Sequence, residues 1–112
     1  MKLIQGTLDV LVLKALEDGP RHGYGVAQWI RRHSEEALQV EEGALYTALH
    51  RLEHRKLLDS RWGLSDNNRR AKYYRLTPRG GAYLTKSSRQ WTRYAEAVFK
   101  VLRRAPGQPE SE

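Results

Sequence analysis

A chain of 112 residues suits one domain, and 39% hydrophobic residues with a mean hydropathy of -0.75 leave a small core under an extensive polar surface. The 20 Lys and Arg against 13 Asp and Glu give a net charge of +7 and an isoelectric point near 10.0. Such a surface favours nucleic acid as partner, because cations that neutralise phosphates release condensed counterions; a basic protein with no polyanion partner is the bland alternative. The lack of cysteine excludes thiolate metal sites, disulfides and a cysteine nucleophile. The partly apolar stretch 1–17 is interrupted by Asp9, Lys14 and Glu17 and is too short and charged to span a bilayer. The expectation is a cytoplasmic protein with no membrane partner.

Thr7 can cap a first helix that runs to about Asp18, with Gly19-Pro20 as its stop. Leu8, Leu11, Val12 and Ala15 share one face, while Val10 and Leu13 point the other way. A helix apolar on two sides packs on its own domain with one face and on a partner or ligand with the other. The segment Arg21-His22-Gly23-Tyr24-Gly25 reads as a tight turn into a second helix over roughly 24–34, with Val26, Ala27, Trp29 and Ile30 inside. Its Gly-x-Gly makes a poor phosphate loop, since no strand is expected before it and no Gly-Lys-Ser/Thr follows.

A third helix is expected over about 42–56, where Leu45, Ala48, Leu49 and Leu52 form one stripe at helical spacing. Gly43, Thr47, His50, Arg51 and His54 fall on the opposite side, and Glu41 and Glu42 suit the positive end of the helix dipole. The period then changes to two. Leu58, Ser60 and Trp62 alternate with Asp59 and Arg61, and beyond a turn-rich stretch at 63–68 Lys72, Tyr74 and Leu76 alternate with Tyr73 and Arg75. This pattern predicts a two-stranded β-hairpin whose tip and legs carry Arg61, Arg69, Arg70 and Lys72. Thr77-Pro78 supplies an N-cap followed by proline at the first helical position, a strong start signal, although Gly80-Gly81 weakens the first turn. The last helix, to about Arg103, carries Leu84, Ser88, Trp91, Ala95, Val98 and Leu102 in a coiled-coil-like seam. The tail 104–112, with two prolines and no apolar periodicity, is expected to be flexible.

Three helices, a hairpin and a helix make a mainly α chain in the order of a winged helix-turn-helix. It divides into a DNA-binding domain (1–77), a dimerisation helix (78–103) and the tail. In such folds the third helix enters the major groove and the hairpin wing lies along the backbone or minor groove. Thr47, His50 and Arg51 would then meet base edges, with Arg51 the main side chain suited to bidentate recognition. Gly43 would let free backbone N–H groups approach a phosphate. Tyr46 borders that face, either donating its hydroxyl to a phosphate or packing on the hairpin, and Arg69, Arg70 and Lys72 fit phosphate contacts or minor-groove insertion.

The strings LIQGTLDVLVLKAL (3–16), PRHGYG (20–25), VEEGALYTALHRLE (40–53) and RAKYYRLTPRG (70–80) together resemble the PadR-like transcriptional regulators, over about the first 85 residues. The resemblance implies a homodimer joined through its last and first helices, with Leu84, Trp91, Ala95, Val98 and Leu102 at the interface. It also implies repression at an inverted repeat, with Tyr46 and the wing cations on DNA. Many members carry proline where this chain has Thr47, so helix geometry or base preference departs there, and the single long last helix matches the short subgroup. In certain members an apolar cavity accepts flat aromatic compounds; Trp91, with Val10 and Leu13, is the matching candidate for such an effector, and simple packing of Trp91 at the interface is the alternative.

Two other classes compete. His50 and His54 are four apart, but Arg51-Leu52-Glu53 between them does not make the His-Glu-x-x-His pattern, so neither a metal nor a cofactor is expected and no catalytic residue is assigned. A winged helix that binds protein without touching DNA is the stronger competitor, since fold alone does not settle function. Cations at Arg51, Arg55, Lys56, Arg69, Arg70 and Lys72, around the third helix and on the wing, favour DNA. Duplex RNA fits less well, because its narrow major groove does not admit a helix.

Overall fold

Hydrophobic periodicity and turn chemistry yield seven elements in the computed structural model, which describes residues 6–107 and 109. They are α1 (Thr7–Ala15), β1 (Arg21–His22), α2 (Gly23–His33), α3 (Glu42–His54), β2 (Leu58–Leu64), β3 (Arg70–Leu76) and α4 (Pro78–Leu102). The expected tail lies in part outside the described residues; within them, the Arg104 guanidinium donates to the Pro109 carbonyl at 2.8 Å. Among the described residues no helix is long and apolar enough to cross a membrane.

The core forms where the apolar stripes of the first three helices converge on the base of the sheet. Val12, Leu13, Val26, Ile30, Leu45, Leu49 and Leu52 meet Leu57, Leu58, Tyr74 and Leu84 there. Burial of such side chains stabilises by about 1.5–3 kcal/mol each. Leu13 is fully enclosed beside Val12 and Ala15. It lies on the other side of α1, as the two-faced pattern suggested, but that side too is covered by the protomer's own core, because α2, α3 and α4 all pack against α1.

Thr7 does not cap α1 either. Gly6 takes the N-cap position in the left-handed region, with φ 88°, and Thr7 becomes the first helical residue. The helix stops at Ala15, three residues short of Asp18, and its terminal carbonyl accepts from Arg21 Nε at 2.8 Å.

The sheet has three strands in the order β1-β3-β2, all antiparallel. The hairpin is as expected, with Leu58 opposite Leu76 and Leu64 opposite Arg70. The segment expected only as a turn adds a third strand: Arg21 pairs with Tyr74 and His22 with Tyr73. His22 then caps α2, its Nδ1 accepting from Gly25 N at 3.0 Å. The two residues of β1 thus give the helix-turn-helix a backbone join to the wing.

At the start of α4 the Thr77 hydroxyl accepts from Gly80 N at 3.0 Å and donates to the Lys56 carbonyl at 2.7 Å, while Thr77 N reaches the Leu57 carbonyl at 3.1 Å. Thr77→Ala removes a helix cap and one tertiary hydrogen bond, and is expected to destabilise by about 1–2 kcal/mol. Urea unfolding checks it; a change under a few tenths of a kcal/mol would deny the cap its role.

From this anchor the 25 residues of α4 run about 38 Å. Gly80 and Leu84 are buried in the body, whereas the second half of the helix is largely exposed. The molecule measures 61 × 28 × 22 Å with a radius of gyration of 17.0 Å, against about 13 Å for a compact chain of 100 residues.

Candidate nucleic-acid interface

Burial of the Leu45, Ala48, Leu49 and Leu52 stripe turns the opposite side of α3 outward, and Gly43, Thr47, His50 and His54 are all exposed on it. The two flanks of α3 have separate tasks. On one, Arg51 pairs with the Asp9 carboxylate of α1, and the Arg55 guanidinium lies 4.9 Å over the Tyr83 ring of α4. Hydrogen bonding from Arg55 and Ser87 holds the Tyr83 phenol below its ordinary pKa. Arg51, expected as the main base reader, is thus paired toward the scaffold side while still exposed; residues 51 and 55 lie one helical turn apart and face α1 and α4 together.

The other flank meets α2 and the wing. Glu53 accepts from the Ser60 hydroxyl of β2 and from Lys72 Nζ of β3 at 3.4 Å, tying helix to hairpin. Lys72 also lies 5.6 Å over the Tyr74 ring. Burial, then the Glu53 carboxylate and Tyr46, push the Tyr74 phenol above its ordinary pKa. Tyr46 packs on Gly23, where a β-carbon would fall 2.8 Å from its hydroxyl oxygen. Only glycine admits that approach, which leaves Tyr46 38% exposed at the rim of the outer face.

Beyond Tyr46 opens a groove of about 530 Å³ between the wing tip and the start of α2. Tyr24, Gln28, Tyr46, Arg69 and Lys72 line it. Two tyrosine hydroxyls, an amide and two cations along one channel, against the single carboxylate of Asp66, suit a string of phosphate oxygens. Of the residues named from sequence, Tyr46, Arg69 and Lys72 come together here, Gly43, Thr47 and His50 share the adjoining face, and Arg51 stands apart. Tyr24, 65% exposed, and Gln28 went unassigned. Their signal was the turn at 21–25, which places both on the first turns of α2 once β1 fixes where that helix begins.

On the wing, Arg69 and Arg70 are exposed, and Arg70 lies 4.8 Å over the Trp62 ring. Arg75 instead grips Asp59 through two hydrogen bonds of 2.6 and 3.1 Å, which holds the Asp59 carboxyl below the usual range. In the seam of α4, Leu84 is buried and Ser88 and Ala95 are half-buried, while Trp91, Val98 and Leu102 are exposed. The Trp91 indole donates to the Thr7 hydroxyl at 3.3 Å. Of the three effector candidates, Leu13 is sealed in the core, Val10 is half-buried and Trp91 is open.

The family model described as the transcriptional regulator PadR-like family matches residues 12–86. The transcriptional regulator Rv3488 of Mycobacterium tuberculosis is 37% identical over 88 residues, 79% of this chain and 78% of that protein. Among solved structures, a transcriptional regulator from Clostridium thermocellum is similar with a TM-score of 0.76 at 30% identity, covering 86% of this chain and 90% of that one. A PadR family transcription regulator from Clostridium difficile gives a TM-score of 0.72 at 28% identity, with 87% and 99% covered. The match of the family model across α2, α3 and the wing, together with these relatives, shows that the chain belongs to the PadR-like family of transcriptional regulators.

Proposed function

We propose that the protein is a homodimeric repressor that seats α3 of each protomer in successive major grooves of an inverted-repeat operator. The observation that carries this is the continuity between the outer face of α3 and the cation-lined groove under the wing, two surfaces spaced to take base edges and the adjoining backbone. Gly43, Thr47 and His50 face the bases, whereas Tyr46, Arg69 and Lys72 take phosphates. With Arg51 held by Asp9, direct readout rests on short or neutral side chains, so half-site spacing carries much of the specificity. The exposed Trp91, on the turn of α4 that reaches Thr7, favours the junction of α4 with Val10 of α1 as the seat of a flat aromatic effector.

Selection of bound genomic fragments, repeated with aromatic compounds present, tests both parts. About four phosphate contacts per protomer predict a log–log salt slope near -7 for the dimer. Arg69→Ala is expected to weaken all duplexes about equally, and Thr47 or His50 substitutions to shift preference between sequences. An affinity indifferent to salt would overturn the proposal, and a protein that binds other proteins but no duplex would restore the competing class.

A further inference from the structure

The wing carries a feature that phosphate neutralisation does not use. The register sets Trp62 opposite Lys72 and Leu64 opposite Arg70, so these four share the face on which Leu58 and Tyr74 are buried. The core covers only the base of that face. Past Ser60 it runs into solvent, leaving Trp62 62% and Leu64 65% exposed. An indole here adds little to the core, yet the Arg70 guanidinium lies on its face, 4.8 Å from the ring.

We propose that Trp62 is a positioning residue that presents Arg70 as the minor-groove reader of the wing. Of the other long cations on the hairpin strands, Lys72 lines the groove under the wing beside Glu53, Arg75 is held by Asp59, and Arg61 lies on the opposite face, across from Tyr73. A ring beneath a guanidinium engages its flat face and leaves the five N–H donors at its edge free. Such a plate is thin enough for a minor groove about 6 Å wide. A·T runs narrow that groove and deepen its negative potential, and the N2 amino group of guanine obstructs its floor. Stacking also restricts the arginine before binding, so less freedom is lost on insertion. Arg69, directed into the groove under the wing, keeps the phosphate role. This assignment rests on the proposal that the wing meets duplex DNA.

The test uses the full chain and duplexes that share the selected operator core but carry either A·T or G·C pairs where the wing lands. The wild type is expected to prefer the A·T flank by about tenfold, the scale of one mismatched contact. Trp62→Ala should cut that preference to about twofold or less, Trp62→Phe should keep most of it, and Arg70→Ala should abolish it. Arg69→Ala should lower both affinities and preserve their ratio. A Trp62→Ala variant with the full preference, a Trp62→Phe variant as impaired as Trp62→Ala, or a wild type that binds both flanks equally would overturn the proposal. A wild type that binds no duplex would overturn the reading beneath it, and that result is seen before any flank is compared.

Discussion

Gly80→Ala is expected to destabilise the protein by about 3 kcal/mol or more, whereas Gly81→Ala, one residue on, is expected to stabilise it by up to about 1 kcal/mol. Both glycines lie in the first turns of α4 and both lower its helix propensity. They differ in what they face. A β-carbon on Gly80 would lie 1.9 Å from the Leu57 carbonyl oxygen, and backbone cannot rotate aside as a side chain can; one on Gly81 meets nothing within 4 Å. Relief at Gly80 requires α4 to lift from the α3–β2 junction, straining the hydrogen bonds from Thr77 to the Lys56 and Leu57 carbonyls. At about 1 kcal/mol for each bond, these losses add to the overpacking term. For a domain stable by about 5–15 kcal/mol the first variant shifts the urea midpoint clearly. Equal effects at the two positions would show that propensity, not the close approach, governs this junction.

The same junction shows what the sequence could reveal. Thr77-Pro78 announced the start of α4 because an N-cap and a proline at the first position act locally, through side chains within three residues. The stripe of α3 was equally plain, since Leu45, Ala48, Leu49 and Leu52 repeat at helical spacing and are all buried. Helix ends were harder. α3 stops at His54, not near Lys56, in a Schellman turn: Leu57 N bonds the Leu52 carbonyl at 3.0 Å and Lys56 N the Glu53 carbonyl at 2.9 Å.

Glycine usually signals that turn, but here Lys56 takes the left-handed position with φ 65°. α2 closes in the same way through Glu35 and Glu36, with φ 53° and 67°. Strand β1 was invisible for another reason. Two residues have no period, and they become a strand only because β3 offers a free edge. The candidate interface divides along the same line. Periodicity placed Thr47, His50 and Arg51 outward together, but whether a flank residue faces solvent or a neighbouring helix depends on packing that one helix does not encode. Asp9, forty-two positions away, is what draws the Arg51 guanidinium toward α1.

Val98→Glu is expected to convert a dimer into monomers at micromolar concentration and to lower operator affinity by about a hundredfold or more. The second half of α4 exposes Trp91, Tyr94, Val98, Phe99, Val101 and Leu102, on a segment that the body of the protomer leaves largely uncovered. A helical stretch of three turns is marginal in water without packing, and so large an apolar surface on one rod calls for a partner. A second copy of the chain fits, because the seam at 91, 95, 98 and 102 repeats by four and three. In a two-fold dimer the same seam lines both sides of the interface. One substitution therefore places two carboxylates in the same interface, and burying an unpaired charge costs far more than losing a valine contact. Separated protomers would still touch phosphates, so weak binding should persist with the salt slope falling to about half, near -3.6. Lys100→Glu, two positions along and on the far side of the helix, changes the charge by more but should leave the dimer intact. Sedimentation equilibrium and operator titration on both variants separate the cases. If Val98→Glu sediments as a dimer, or binds as a monomer with undiminished affinity, then α4 does not set the half-site spacing and the grip on DNA is complete within one protomer.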